Sequence, residues 1–425
     1  MRDRIFATYL VETLLDLELA VRALASEGST GTFVDVPGET EAVRHQFGTR
    51  LESIEELEPA RAPCLIGARG ASTGQQQVRR ALVSISIPLE LTGTDLTTVM
   101  ACLLGNVFEL SEMSGLRLEA VEFPAELIKN CPVPRYGVDG SRRLFDVWGR
   151  PIFGTIVRPA LGLRPDETAE AVAELLAAGV EFLKDDELIA NPDYNPLSER
   201  IPAVMRVVNE HAELTGRRAV YGFNITDEPD AMLRHQDLVQ AAGGTCAQVN
   251  MIHAGVAAVA HLRRHGDLLI HGHRSGLPIQ TRSSSLGIGW RAHAALWRLA
   301  GVDQLIVGGI RNKYWESDED ALAAIEACLA PMLSENDRAL PVVAAGQWGG
   351  QIPDTYAQTT SCDWLYLAGN GVTAHPDGPA AGVRALHQAW DLARAGESLE
   401  DAASATKPEL AASIRAFEQP SAAVA

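Results

Sequence analysis

The feature that most constrains the fold is a pattern that repeats eight times after about residue 151: a short apolar run, a turn and a helical segment. The apolar runs are continuous and rich in β-branched residues, as expected for parallel strands that are buried on both faces. Most of the helical segments carry apolar residues at a spacing of three to four, which gives each helix one face for the sheet. Eight such units over about 260 residues predict an α/β fold, the (β/α)8 TIM barrel.

A doubly wound parallel sheet is the competing fold. Such a sheet usually has fewer strands, and its first turn is rich in glycine. The first turn here reads RPALGLRP and lacks the GxGxxG spacing, so the pattern favours the barrel. The predicted strand segments are, in order, PIFGTIVRP, EFLKDDE, AVYGFNIT, CAQVNMIH, LLIHGHR, QLIVGG, PVVAAGQ and DWLYLAGNG.

Residues 1–137 have a different pattern. The helical stretches ELAVRALASEG and DLTTVMACLLGNVFELS are interspersed with the strand-like pieces GTFVDV, ALVSISIPLEL and LRLEAVEFP. This mixture predicts a small α+β domain, ferredoxin-like and with a mostly antiparallel sheet. We place the barrel, with a helical tail, at residues 138–425, and we expect a link between the two domains at about 124–150.

Composition excludes several classes of partner. The formal net charge of −19 argues against binding to nucleic acid or to an anionic membrane through bulk electrostatics. No apolar run reaches the roughly 18 residues that a bilayer span needs. The six cysteines include no CxxC pair, which indicates free thiols in a reducing compartment. We therefore expect a soluble, cytoplasmic protein.

The strongest chemical signal stands at the end of the second predicted barrel strand, because catalytic groups of this fold lie at the C-terminal ends of the strands. Lys184 and Asp186 point the same way, since side chains alternate along a strand, and Glu187 follows at the turn. Carboxylates beside a lysine are costly to bury unless a cation is present, and two of them with room for water suit Mg²⁺. The alternative is a solvated acidic turn with an ion-paired lysine.

Two other strand ends carry cationic or titratable groups. Strand 5 ends in His271, His273 and Arg274, where the histidines could move protons or bind metal and the arginine could hold an oxyanion. One buried structural histidine and a surface arginine would be the plainer interpretation. Strand 1 ends in Arg158, which either pairs with the acidic cluster or contacts substrate.

The loops after strands 6, 7 and 8 are candidates for anion binding. Arg311, Asn312 and Lys313 follow two glycines and could close over an anion as a lid, although an ordinary surface loop is the alternative. Gly-rich turns after strands 7 and 8 are the usual phosphate cradle of this fold.

Together these residues resemble the RuBisCO superfamily, over nearly the whole chain. GVEFLKDDE is similar to the strand-2 signature of that family, a carbamylated lysine followed by two metal-binding acids. HGHR resembles its strand-5 motif and TIVRPALGL its strand-1 motif. GNVF at 105–108 and SEGSTGTF at 26–33 resemble the small-domain segments that reach into the neighbouring subunit's site.

The resemblance implies a set of roles. Lys184 would bind CO₂ as a carbamate and, with Asp186 and Glu187, would hold Mg²⁺. The catalytic residues would be Lys184, His273, Lys313 and Arg158. A homodimer with shared active sites is implied, with Glu27, Thr32 and Asn106 supplied by the partner subunit. The other implied substrate ligands are Arg274, Gly346, Gln347, Gly369 and Asn370.

Several positions depart from the pattern of the true carboxylases. Arg158 and Ala160 stand where that pattern has two lysines, and arginine cannot exchange protons as a lysine can. Ile306 replaces a histidine, Ala345 a serine, and Gln347 a glycine. Two polar groups for a second phosphate are thereby lost, so we expect a RuBisCO-like (form IV) protein that does not fix CO₂ on ribulose bisphosphate.

What remains is the enolate-forming part of the site. The resemblance is greatest to the sugar-acid branch of the RuBisCO-like proteins, which implies decarboxylation or hydrolytic C–C cleavage of 3-oxo-isoapionate 4-phosphate. In that case Arg274 could hold a carboxylate. The alternative activity is in methionine salvage, as enolase of the diketo phosphate or isomerase of methylthioribulose phosphate, which an apolar pocket would favour. A degenerate, non-catalytic barrel is a further alternative.

Overall fold

The computed structural model describes residues 3–30, 37–70, 77–399 and 407–418. The chain forms two compact units. The first comprises Met1–Val133, Gly276–Ala300 and Met332–Ser334, and the second comprises Pro134–Ser275, Gly301–Pro331 and Glu335–Ala425.

The elements of the first unit are β1 (Arg4–Thr13), α1 (Leu17–Glu27), α2 (Glu41–Phe47), β2 (Arg50–Ala60), β3 (Val78–Pro88), α3 (Leu89–Thr92), α4 (Leu96–Leu104), β4 (Gly115–Glu122), α5 (Ala125–Asn130), α12 (Pro278–Thr281), β10 (Leu286–Ile288) and α13 (Trp290–Leu299). The sheet has the strand order β10-β4-β1-β3-β2. All of its pairs are antiparallel except β10 with β4. The prediction of a small α+β domain with a mostly antiparallel sheet is confirmed.

Three strands of this sheet, β1, β2 and the short β10, were not recognised from the sequence. β1 is central and buries Ile5, Ala7 and Tyr9 on one face, but its apolar run continues into α1 without a clear break. β2 is exposed along nearly its whole length, so its sequence, LESIEELEPA, carries no apolar face. It is held by its antiparallel ladder with β3. The predicted strand GTFVDV lies outside the described residues.

The elements of the second unit are α6 (Gly137–Phe145), β5 (Ile152–Ile156), α7 (Pro165–Ala177), β6 (Phe182–Lys184), α8 (Leu197–Thr215), β7 (Val220–Asn224), α9 (Pro229–Ala241), β8 (Cys246–Asn250), α10 (Met251–Ala254), α11 (Val256–His265), β9 (Leu269–His273), β11 (Gln304–Val307), α14 (Asp318–Leu329), β12 (Leu340–Val343), α15 (Ile352–Thr359), β13 (Leu365–Leu367), α16 (Gly369–Thr373), α17 (Pro379–Ala395) and α18 (Pro408–Phe417). The strands form a closed parallel barrel, in which β9 pairs with β11 to complete the ring. The predicted TIM barrel is confirmed.

The barrel interior is apolar at one end and polar at the other. Val138 and Phe145 of α6 join an apolar cluster with the residues that open the strands, so α6 closes the N-terminal end of the barrel. The cluster includes Ile152, Phe182, Val220, Cys246, Leu269, Leu340 and Leu365. Four successive strands end in polar residues, namely Lys184, Asn224, Asn250 and His273. The chemistry of the barrel is thus concentrated at its C-terminal end.

The division of the chain differs from the predicted boundary at residue 137. The first unit ends at Val133, and the segment Gly276–Ala300, which we assigned to the barrel domain, groups with it. The reason is local: β10 pairs in parallel with β4, and α13 packs against β4. The expected link at 124–150 contains the helices α5 and α6. Among the described residues, no helix is long and apolar enough to cross a bilayer.

Candidate active site

The main chain that carries the predicted metal ligands is fixed by the ends of two neighbouring strands. Asn224 Nδ2 donates to the carbonyl oxygens of Asp186 and Glu187, each at 3.2 Å. Asn250 Nδ2 donates to the same Glu187 oxygen at 2.9 Å. The turn after Lys184 is therefore rigid, which suits a site that must hold its ligands in place.

Lys184 is fully buried, and its Nζ donates to the carbonyl oxygen of Asp185 at 2.6 Å. Burial lowers the pKa of Lys184 to about 8, against the opposing effect of Glu187, Asp186 and Asp185. A lysine with this pKa is partly neutral near physiological pH, and the neutral amine is the form that reacts as a nucleophile.

Asp185, the remaining acid of the cluster, does not belong to the site. Its carboxylate accepts hydrogen bonds from Tyr221 Oη at 2.6 Å, Asn224 N at 2.8 Å and Arg200 Nη2 at 3.1 Å. All of these partners are buried. Asp185 therefore ties the end of β6 to β7 and α8, and only two carboxylates of the cluster remain for a cation.

Arg158 pairs with the acidic cluster, which is one of the two roles open from the sequence. Its Nη1 donates to Asp186 Oδ2 at 2.6 Å, while Leu188 N donates to Asp186 Oδ1 at 3.2 Å. Burial would raise the pKa of Asp186, but the hydrogen bonds from Arg158 and Leu188 and the charge of Lys184 outweigh it and lower that pKa. Asp186 is thus an anion whose two oxygens both have donors.

The hydrogen bonds of His273 indicate its tautomer. Ser275 N donates to Nδ1 at 3.1 Å, so that nitrogen carries the lone pair. The proton lies on Nε2, which is 3.5 Å from Glu187 Oε2. Burial, followed by the charge of Lys184, lowers the pKa of His273 well below its usual value. The imidazole is therefore neutral, with Nδ1 held by the main chain and Nε2 facing Glu187, and its predicted catalytic role stays a prediction.

The interior next to Lys184 contains buried polar atoms without partners. His271 Nδ1 is paired with Gln304 Oε1 at 3.0 Å, which leaves Nε2 unpaired. Gln248 lies opposite His271 in the register of β8 and β9, and neither its Oε1 nor its Nε2 has a partner. Burial and the charge of Lys184 lower the pKa of His271 to about 3. Such atoms are costly unless a polar group satisfies them, so this region suits carbamate oxygens or water.

Arg274 has a partner that the sequence did not suggest. Its Nη1 donates to both carboxylate oxygens of Glu316, at 2.8 and 3.0 Å, and the side chains of both residues are only 12% exposed. The two residues are 42 positions apart, and Glu316 lies in the irregular segment between β11 and α14. No periodicity extends through such a loop, so no sequence signal pointed to Glu316.

Lys313 and the glycine after strand 7 lie together. Lys313 N donates to Ala345 O at 3.1 Å, and the Lys313 side chain passes so close to Gly346 that a Cβ there would lie 3.1 Å from Lys313 Cγ. Both residues are exposed. The amine of Lys313 lies 5.0 Å from the centre of the Tyr314 ring.

Gln347 is placed unlike a substrate ligand. Its side chain is 1% exposed and lies below Gly309. Its Oε1 accepts from Tyr366 Oη at 3.1 Å, and its Nε2 donates to Ile310 O at 3.4 Å. Gln347 thus supports the loop after β11, and its predicted role as a substrate ligand stays a prediction.

The remaining predicted positions are placed as follows. Ile306 belongs to the apolar core of the barrel and is 4% exposed, whereas Ala345 is partly exposed. Gly369 is partly exposed and Asn370 exposed, at the start of α16, and a Cβ on Gly369 would meet only Ile156 at 3.8 Å. Backbone at this position is therefore accessible to a ligand.

Three predicted residues lie outside the barrel unit. Glu27 ends α1 and Asn106 opens the 3-10 turn Asn106–Glu109; both are exposed in the first unit. Thr32 lies outside the described residues. The prediction that these residues complete the site of a partner subunit stays a prediction.

Two family models together match most of the sequence. Residues 2–127 match the ribulose bisphosphate carboxylase large chain, N-terminal domain, and residues 137–417 match the catalytic domain of the same chain. The chain belongs to the RuBisCO large-chain family. The predicted resemblance is confirmed, and so is the prediction of an enzyme of the RuBisCO-like kind.

Individual relatives in the RuBisCO family are similar over their full length. A Rhizobium etli protein named 3-oxo-isoapionate-4-phosphate decarboxylase is 45% identical, over 96% of this chain and 98% of its own. A 3-oxo-isoapionate-4-phosphate transcarboxylase/hydrolase of Xanthobacter autotrophicus is 41% identical, over 95% and 97%. The crystal structure of a rubisco-like protein from Burkholderia fungorum superposes with a TM-score of 0.91 at 38% identity, over 98% of this chain and 100% of that one.

The donor set of this RuBisCO-family site is limited. Within the described ranges, no group of three or more His, Cys, Asp or Glu side chains is arranged to hold a metal ion. The cluster after β6 offers a cation two carboxylates, those of Asp186 and Glu187. A third anionic oxygen ligand from the protein would have to come from a modified Lys184, as the RuBisCO resemblance implies.

Proposed function

We propose that this chain is a Mg²⁺-dependent decarboxylase of 3-oxo-isoapionate 4-phosphate or of a closely related phosphorylated 3-oxo sugar acid. The observation that carries the proposal is an intact Lys184, Asp186 and Glu187 group in a chain 45% identical, over nearly its whole length, to a protein named for that reaction. CO₂ fixation on ribulose bisphosphate is not part of the proposal, because Arg158, Ala160, Ile306 and Ala345 replace groups of the carboxylase pattern.

The chemistry of a 3-oxo acid suits such a site. The bond between the carboxyl carbon and its neighbour breaks, CO₂ leaves, and the electron pair passes to the keto oxygen as an enolate. A proton then returns to the carbon. Bound Mg²⁺ would supply a Lewis acid for the keto oxygen and stabilise the developing negative charge.

The side chains support a metal at this position. Lys184, as a carbamate, and the carboxylates of Asp186 and Glu187 would be its protein ligands, all of them oxygens, which Mg²⁺ prefers. The unpartnered polar atoms of Gln248 and His271 support the presence of an additional polar group near Lys184. When the metal and the substrate bind, Arg158 would release Asp186 and bind the carboxylate of the substrate. Its permanent positive charge suits that contact.

The hydrogen bonds of His273 favour decarboxylation over the alternatives. An enolase or isomerase must first remove a proton from carbon, and His273, with its Nδ1 occupied by Ser275 N and its Nε2 facing Glu187, is not arranged to accept one, so the Lys184 carbamate alone would have to act as the base. Loss of CO₂ forms the enolate without that step. The methionine-salvage alternative also loses support at Ile306, which is buried in the barrel core and gives the site no apolar surface.

Hydrolytic cleavage is the second candidate, favoured by the similarity to the Xanthobacter autotrophicus transcarboxylase/hydrolase. In both cases we expect Lys313 to close over the reacting group and the backbone at Gly346, Gly369 and Asn370 to contact the phosphate. Gln347 would affect substrate binding through the loop that it supports. Arg274 would contact the end of the substrate opposite the phosphate.

A substrate panel followed by phosphorus NMR tests the proposal. The purified protein, with Mg²⁺ and bicarbonate, is incubated with phosphorylated 3-oxo sugar acids and with the two methionine-salvage phosphates. We expect one sugar acid phosphate to yield a single ketose phosphate with loss of CO₂. A second, acidic product would indicate hydrolysis, and turnover of a methionine-salvage phosphate alone would contradict the proposal.

A further inference from the structure

The Arg274–Glu316 pair has a charge pattern unlike that of a phosphate site. Arg274 follows β9, in the barrel end where the strand ends carry polar residues, and a lone arginine there would attract any anion. Here its Nη1 already donates to both oxygens of Glu316, at 2.8 and 3.0 Å. With both side chains 12% exposed, the pair is shielded from most of the solvent that weakens surface ion pairs. The pair itself therefore carries no net formal charge.

Glu316 is held in this position by its loop. Asn312 Nδ2 donates to the carbonyl oxygens of Glu316 and Gly309, each at 3.0 Å, and Asn312 Oδ1 accepts from Tyr314 N at 2.8 Å. The carboxylate of Glu316 also lies against Gly308, where a Cβ would come within 1.7 Å of Oε2. The loop thus fixes the backbone of Glu316, and the carboxylate lies between Gly308 and Arg274.

A ligand that approaches Arg274 consequently meets a fixed negative charge beside the positive one. For a neutral or singly charged ligand group, the attraction to Arg274 and the repulsion from Glu316 nearly balance. A phosphate dianion doubles the attraction to Arg274 and the repulsion from Glu316 alike, so the pair still offers it little net attraction. Its desolvation cost, which rises with the square of the charge, is about four times that of a singly charged group and is left uncompensated.

We propose that Glu316 is a specificity-determining residue that sets the charge of the Arg274 subsite to zero, so that the subsite accepts a hydroxyl or carboxylate end of the substrate and rejects a phosphate. The inference rests on the proposed function only in placing Arg274 in the substrate pocket. Ala345 and Ile306 already replace two polar groups that would hold a second phosphate. The charge of Glu316 gives a further physical reason to expect that a bisphosphate is not a substrate.

Binding of inorganic phosphate tests the role of Glu316. Isothermal titration compares the wild type with Glu316→Gln, and with Glu319→Gln, which removes the same charge from an exposed residue of α14. We expect Glu316→Gln to bind phosphate about tenfold more tightly or better, and Glu319→Gln to match the wild type. The double variant Glu316→Gln/Arg274→Met should lose the gain, because the gain depends on Arg274.

Equal phosphate affinity in the wild type and Glu316→Gln would overturn the proposal, and so would a gain that survives in the double variant. Should Glu316→Gln not fold, as its melting curve would show, Glu316→Ala removes the same charge without placing an amide against Gly308. Phosphate binding requires neither turnover nor metal. Failure of the decarboxylase proposal would therefore leave this result unchanged, and the two failures can be distinguished.

Discussion

At the scale of single residues, Arg158 and a metal ion would compete for the same carboxylate, because Arg158 Nη1 lies 2.6 Å from Asp186 Oδ2. Replacing the arginine removes a charge-assisted hydrogen bond worth about 1.5–3 kcal/mol. We expect Arg158→Met to lower the Kd for Mg²⁺ about tenfold and to reduce turnover sharply.

Titration calorimetry with Mg²⁺ at fixed bicarbonate measures the effect of Arg158→Met. Arg206→Met is the matched control, since Arg206 forms an exposed ion pair with Glu210 on α8. Weaker Mg²⁺ binding in Arg158→Met would mean that the arginine helps to build the metal site and does not compete with it.

Lys184 gives the site a pH dependence that follows from its burial. Burial lowers the pKa of this amine to about 8, and CO₂ reacts with the neutral form. The neutral fraction falls as the pH falls, to about one tenth at pH 7. At fixed dissolved CO₂, the rate of activation by Mg²⁺ should therefore rise with a midpoint near pH 8. A midpoint near 10.5 would contradict this, and Lys184→Met should show no activation at any pH.

At the scale of elements, the four consecutive strands β6 to β9 show what the sequence could predict. A buried parallel strand directs its last residues to one end of the barrel, so Lys184, Asp186, His273 and Arg274 could be predicted as site residues from their positions at the strand ends. Their partners could not be predicted, because Glu316 reaches Arg274 through an irregular loop.

Other failures of prediction have physical causes of the same kind. β2 pairs along its length with β3 but buries almost no apolar side chain, so its sequence shows no alternation. Gln347 occupies a position where the family pattern has a glycine, yet its side chain turns beneath Gly309 and bonds Tyr366. A sequence pattern indicates which residues share a loop, and the packing decides which way each side chain turns.

The loop between β11 and α14 supplies a prediction at this scale. Asn312 makes three hydrogen bonds within the loop, to Gly309 O, to Glu316 O and from Tyr314 N. Asn312→Ala should raise the hydrogen-exchange rates of residues 308–316 at least about tenfold, since each lost bond contributes about 1 kcal/mol, and it should raise KM.

Asn209→Ala, at an exposed position of α8, is the control for Asn312→Ala. Unchanged hydrogen exchange in the loop of Asn312→Ala would show that contacts other than these three bonds hold Glu316 and Lys313 in place.

At the scale of the whole molecule, the family resemblance implies active sites shared between two subunits, with Asn106 from one chain and Lys184 from the other. Two inactive variants, Asn106→Ala and Lys184→Met, should then restore activity when they are mixed after reversible dissociation. Half of the dimers in an equal mixture are mixed, and each has one intact site, so we expect about a quarter of the wild-type rate. No recovery, with mixed dimers present by mass spectrometry, would contradict shared sites.

The most direct test of the central claim follows the carbon that is lost. 3-Oxo-isoapionate 4-phosphate labelled with ¹³C at the carboxyl carbon is incubated with the protein, Mg²⁺ and bicarbonate, and the products are observed by ¹³C NMR. The account predicts that the label appears as CO₂ and bicarbonate with the wild type and stays in the substrate with Lys184→Met and Asp186→Asn. Label retained in an organic acid product, or released equally by the Lys184→Met variant, would contradict it.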